Sequence, residues 1–113
     1  MDKALALAGF SFGGYVITRV AEALAQRGQP VSRLVLVGLA TGPIAGDRAY
    51  TARPVANDSL VIHGANDVTV PLANVLAWAE PQELPVTVIP GADHFFHRRL
   101  HVIRDIVHRA WPA

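Results

Sequence analysis

Four short apolar runs punctuate the sequence, at Ala4–Ala8, Arg33–Leu39, Ser59–His63 and Pro85–Ile89. Nearly continuous hydrophobicity over so few residues marks strands buried on both faces, which predicts a parallel sheet. Between the first two runs, Ile17, Val20, Ala21 and Leu24 recur at three- and four-residue spacing while Arg19, Glu22 and Gln26 fall on the opposite side. Gly14–Arg27 is therefore expected to be an amphipathic helix. Gly28 is expected to cap it in a left-handed conformation, and Pro30 keeps it from continuing. A second helix is expected at Leu72–Ala79, stopped by Pro81. A third should run from about His97 to Trp111, with Leu100, Ile103, Val107 and Trp111 as its buried stripe and Pro112 as its end. Thr41–Asp58 is rich in Gly, Pro, Asp and Asn and has no clear period. It reads as a loop with at most a short helix, long enough to cross between parallel strands.

The order strand, helix, strand, loop, strand, helix, strand, helix predicts an α/β fold: three αβα layers around a mostly parallel sheet of about four strands. Ligands of such sheets bind beyond the carboxyl ends of the strands, so the chemistry is expected just after Ala8, Leu39, His63 and Ile89. At 113 residues, with 51% hydrophobic and 17% charged positions, the chain makes one modest domain and is too apolar to be disordered. Ten basic residues against nine acidic ones leave a charge of +1, which gives no field to attract nucleic acid or an anionic membrane. There is no cysteine, which excludes disulfides, thiolate metal sites and a cysteine nucleophile and fits a cytoplasmic setting. The apolar runs fall far short of the roughly 18 residues that a membrane span needs, and Ala4–Ala8 is too short for a targeting segment.

The first strand end carries Gly9-Phe10-Ser11-Phe12-Gly13-Gly14, a Gly-x-Ser-x-Gly pattern between a strand and a helix. A turn sharp enough to lift a serine hydroxyl clear of a sheet crowds the residues two before and two after it, which predicts no room for a Cβ at Gly9 or Gly13. The same turn puts Ser11 at a helix N-terminus, where free N–H groups favour a developing anion, with the Phe12 N–H as the natural oxyanion donor. Neither a P-loop nor a dinucleotide fingerprint is present; the competing reading is a tight turn that merely contains a serine. A serine nucleophile needs a base, and the base an orienting acid. Two later strand ends supply them: His63-Gly64-Ala65-Asn66-Asp67-Val68-Thr69-Val70-Pro71 brings Asp67, and Pro90-Gly91-Ala92-Asp93-His94-Phe95 brings His94.

These three segments, in the order Ser11, Asp67, His94, resemble the C-terminal half of a small lidless bacterial α/β-hydrolase of the esterase-like kind, and the likeness covers nearly the whole chain. The resemblance implies Ser11 as nucleophile, His94 as general base and acid, Asp67 as its orienting carboxylate and Phe12 as one oxyanion donor. It implies hydrolysis of small carboxylic esters, or of thioesters or amides, through an acyl-enzyme and without a cofactor or metal. Members of the family have several strands before the nucleophile and a second oxyanion N–H from an early loop. Here only Met1–Ala8 precede the motif, so residues 1–113 are expected to form a single, partial domain of a truncated α/β-hydrolase fold, its first strand an exposed apolar edge. That edge is expected to pair in a homodimer; the competing reading, resting on the missing second oxyanion donor and pocket wall, is a catalytically silent chain that acts as an interaction or partner-dependent module.

Other residues have weaker claims. Asp93 could rival Asp67, but sequence neighbours seldom orient one another's rings, and a loop or capping role suits it better. His97 and His101 have a helical zinc-binding spacing without the Glu of His-Glu-x-x-His, so no metal site is expected. Arg98, Arg99, Arg104 and Arg109 give the last helix a basic face, partly offset by Asp105 and without interleaved aromatics, so nucleic acid is not expected. His63 reads as a packed or loop-bonded residue. Phe10, Phe12, Phe95 and Phe96 flank the proposed nucleophile and base, as walls of an acyl pocket or as core.

Overall fold

The computed structural model of the chain describes residues 5–44 and 46–111. Its elements are β1 (Ala6–Phe10), α1 (Phe12–Gln26), β2 (Arg33–Val37), β3 (Gly42–Ile44), β4 (Arg48–Tyr50), β5 (Leu60–Gly64), α2 (Leu72–Ala79), β6 (Thr87–Ile89) and α3 (Leu100–Ala110). The sheet has the order β1-β2-β5-β6, each neighbouring pair parallel. The three-layer architecture expected from the hydrophobic pattern is therefore present. β2 shows why continuous apolar runs belong in its centre: Leu34 and Leu36 pack into one core with α1 and α2, while Val35 faces a second core under α3. Leu36, Leu39 and Ile62 are fully buried, each contributing about 1.5–3 kcal/mol through apolar burial.

Several boundaries differ from expectation. The first strand ends at Phe10, not Ala8, because its ladder with β2 continues through Gly9↔Leu36 and Phe10↔Val37; Ala4, its expected start, lies outside the described residues. Strand pairing also ends the second run at Val37, carries the third to Gly64 and starts the fourth at Thr87. The first helix opens at Phe12, directly after Ser11, and Gly28 follows its end at a φ of 76°. α2 matches its expected span, and Glu80–Gln82 prolong it by a single 3-10 turn around Pro81.

Among its described residues, the connection at 41–58 contains no helix. It folds into an antiparallel hairpin of β3 and β4, turned by Gly46 and Asp47 at φ of 81° and 58°. Asn74 of α2 holds it down, donating from Nδ2 to the carbonyls of Thr41 at 3.0 Å and Pro43 at 2.7 Å.

The last helix begins at Leu100 rather than His97, because Phe96 and Arg98 take positive φ and break the helical path. Ile103, Val107 and Trp111 pack against the core as expected, joined by Val102 and Ile106. Leu100 does not: it is 68% exposed. The expected terminator Pro112 lies outside the described residues. β1 is the outer strand on its side of the sheet, and none of its residues is fully buried. Val16 and Val20 of α1 are also exposed, although Val20 belonged to the expected buried stripe. The apolar faces on both sides of β1 are thus only partly covered. No helix among the described residues is long and apolar enough to cross a membrane.

Candidate active site

The turn that ends β1 is one residue long. Ser11 N–H still donates to Val37 O of the neighbouring strand at 2.9 Å, while the Ser11 carbonyl accepts from Gly14, Tyr15 and Ala40. To face strand and helix at once, Ser11 takes φ 55° and ψ −123°, a region that costs a residue with a side chain on the order of 1–3 kcal/mol. A Cβ on Gly9 would lie 2.7 Å from Gly14 Cα and 2.8 Å from Gly13 O, so that position admits only glycine. Gly13 departs from expectation, since a Cβ there meets nothing within 4 Å. The crowded partner is Gly14, which packs under Leu39 and against the Gly9 backbone.

Three distant segments meet above this turn. Ser11 Oγ–H donates to His94 Nε2 at 2.8 Å, and His94 Nδ1–H donates to Asp67 Oδ2 at 2.7 Å. The other carboxylate oxygen accepts the N–H groups of Thr69 at 2.9 Å and Val70 at 2.8 Å, which fixes its plane. Asp67 and His94 are both buried. Gly64 brings their loops together. The Asn66 N–H donates to Ala92 O at 2.9 Å, and a Cβ on Gly64 would strike that same carbonyl. The rival acid, Asp93, is turned away to accept the His97 N–H at 3.0 Å and to pair with the His97 ring, whose hydrogen bonds hold its carboxyl below the usual carboxylate range. His97 therefore sits in the loop before α3 and not one turn from His101 on a helix, as a zinc pair would require. Among the described residues no three His, Asp or Glu side chains form a group that could hold a metal.

The aromatic residues divide by role. Phe96 is core. Phe10 and Phe95 lie against the His94 ring, with centroids 5.0 and 5.1 Å away. With Val37, Phe96, Leu100 and Ile103 they wall an open, apolar groove of about 330 Å³. Phe12 is not in that groove; its ring packs at a tilt against Tyr15 and Tyr50, with centroids 5.7 and 5.4 Å away. Tyr50 belongs to the hairpin and had no signal in the sequence.

Two further residues shape the site. Gly38, just beyond β2, takes φ 59°, and a Cβ there would stand 3.3 Å from His94 Cε1 and 3.4 Å from Phe10 Cε1. It is the gap that the His94 ring fills; a glycine breaking the Arg33–Leu39 apolar run was its one sequence signal. His63 is wholly buried, as its packed reading required, and lies close to the others: its Nε2–H donates to Val70 O at 2.7 Å and lies 3.3 Å from Asp67 Oδ2. Burial is the main influence on its ring and holds the pKa below the ordinary imidazole value.

The chain resembles a lidless α/β serine hydrolase from Xanthomonas campestris, at 32% identity and a TM-score of 0.75 over 98% of this chain and 50% of that one. An α/β serine hydrolase homologue from Coxiella burnetii matches at 31% identity and a TM-score of 0.67, over 95% of this chain and 49% of that one. The chain belongs to the α/β-hydrolase superfamily. The same fold appears in Est1E from Butyrivibrio proteoclasticus, at 19% identity and a TM-score of 0.69 over 95% of this chain and 60% of that one. This α/β-hydrolase chain spans about half the length of the two serine hydrolases it matches, consistent with their C-terminal half. No family model matches it, and no curated protein does.

Proposed function

We propose that this chain carries the catalytic machinery of a serine hydrolase that cleaves small carboxylic esters through an acyl-enzyme. The observation that carries this reading is the unbroken line from Ser11 Oγ through His94 to Asp67, at 2.8 and 2.7 Å, on a serine held in a strained turn. Ser11 Oγ would attack the ester carbonyl carbon while His94 Nε2 takes its proton; Asp67 holds the imidazole in the tautomer that can accept it and stabilises the imidazolium that forms. Phe12 is the first residue of α1, so its N–H has no acceptor within the helix and would donate to the oxyanion as it develops. His94 then returns the proton to the departing alcohol, and a water activated in the same way releases the acid. Phe10 and Phe95, which wall the groove, would receive the apolar part of the substrate. The reaction needs no cofactor.

A fluorophosphonate probe tests this directly. It should label the folded chain at Ser11, and not the Ser11→Ala variant or unfolded protein; folded chain that takes no label overturns the reading. Gly38→Ala should slow that labelling by roughly tenfold, less than the roughly 100-fold that a full misplacement of about 1 Å brings, because the new methyl, held at a positive φ, crowds the His94 ring at 3.3 Å. Labelling at the wild-type rate would show that the ring has other room.

The open edge of β1 favours a second, compatible proposal, a homodimer. Two copies related by a two-fold axis would pair β1 with β1 antiparallel and satisfy the unpaired backbone groups of both. Light scattering should find a dimer that dissociates on dilution, and a monomer at high concentration would exclude it.

A further inference from the structure

We propose that His63 is a positioning residue for Asp67, one that ties the turn carrying the carboxylate to the end of β5. The inference rests on the assignment of Asp67 as the partner of His94. Both groups near His63 Nε2, the Val70 carbonyl at 2.7 Å and Asp67 Oδ2 at 3.3 Å, are acceptors, so this nitrogen carries the hydrogen. Nδ1 is then the bare nitrogen, and it is buried without a partner. A protonated ring would leave an N–H there with no acceptor and would set a second cation near His94, so the ring works as a neutral donor.

What it donates to closes a circuit. The Val70 N–H holds Asp67 Oδ1 at 2.8 Å, and the Val70 carbonyl is held in turn by His63. Val70 is fully buried and forms part of the core. His63 thus ties the far end of the turn from 64 to 70 back to the end of β5, and with it the backbone N–H that holds the Asp67 carboxylate. An apolar side chain would fill the same space and leave the Val70 carbonyl unpartnered, releasing the turn. The orphaned Nδ1 is a penalty that packing alone does not explain.

The test is the far-downfield proton resonance of His94 Nδ1–H, which reads the Asp67–His94 bond without requiring turnover, followed in wild type, His63→Gln, His63→Asn and His63→Leu. Glutamine can place an amide N–H where Nε2 stands, whereas asparagine reaches only to Nδ1. The signal should persist in His63→Gln and be lost to exchange in His63→Leu and His63→Asn, with fluorophosphonate labelling slowed about tenfold or more in the latter two. Should the leucine variant not fold, the contrast between glutamine and asparagine decides alone. Persistence of the signal in every folded variant would reduce His63 to a packing residue, and its loss in all three would exclude the Nε2–H as the cause. Absence of the signal in wild type would instead overturn the Asp67–His94 assignment beneath the proposal.

Discussion

Asp67→Asn is expected to lower kcat by roughly 10⁴-fold while leaving the fold intact, the scale seen when the acid of a Ser-His-Asp constellation is made an amide. The hydrogen bonds here dictate which way the amide must face. Oδ1 accepts two backbone N–H groups, from Thr69 and Val70, so the amide oxygen takes that place and the NH₂ turns toward His94. His94 Nδ1 then has to accept rather than donate. Its hydrogen moves to Nε2, where it faces Ser11 and cannot receive the hydroxyl proton. Steady-state ester hydrolysis, with circular dichroism to confirm folding, measures the effect. A loss below about tenfold would show that the carboxylate does not set the tautomer.

Gly9→Ala should strongly destabilise the turn at Ser11. The methyl would meet only backbone, at 2.7–2.8 Å, and backbone cannot rotate aside as a side chain can. The expected cost is about 3 kcal/mol, the upper end of overpacking, out of a total stability of about 5–15 kcal/mol. Gly13→Ala provides the contrast. Space is open there, and replacing glycine within a helix gains up to about 1 kcal/mol. Urea midpoints of the two variants should move in opposite directions; a Gly9→Ala midpoint equal to wild type would mean that strand and helix can separate without loss.

The strands and helices nearest the site were legible because their apolar residues repeat with the period of the element, as in Arg33–Leu39 and in Ile17 and Leu24. Ser11, Asp67 and His94 were legible because each stands just past such a run. The hairpin was not, since strands as short as Gly42–Ile44 and Arg48–Tyr50 are too brief to show a period. Leu100 was misread for another reason. An apolar stripe states which face a helix would bury, and not whether a neighbour is present to cover it. Gly13 was misassigned because the motif places glycines by count from the serine, whereas the close approach falls on whichever residue the helix brings over Gly9, here Gly14. Gly38 meets His94 far along the chain, and only the assembled sheet brings the two together; His63 reaches Asp67 and Val70 a few residues on, through a turn that folds back on the end of β5 and has no periodic signature.

The strained backbone of Ser11 sets durability against reactivity at a single position. Glycine is the residue that tolerates φ 55° and ψ −123° without penalty, so the substitution that most relaxes the chain is also one that deletes the hydroxyl. Any search for hardier variants that scores folding alone would drift toward glycine at residue 11 and would have to be paired with a selection for nucleophilicity.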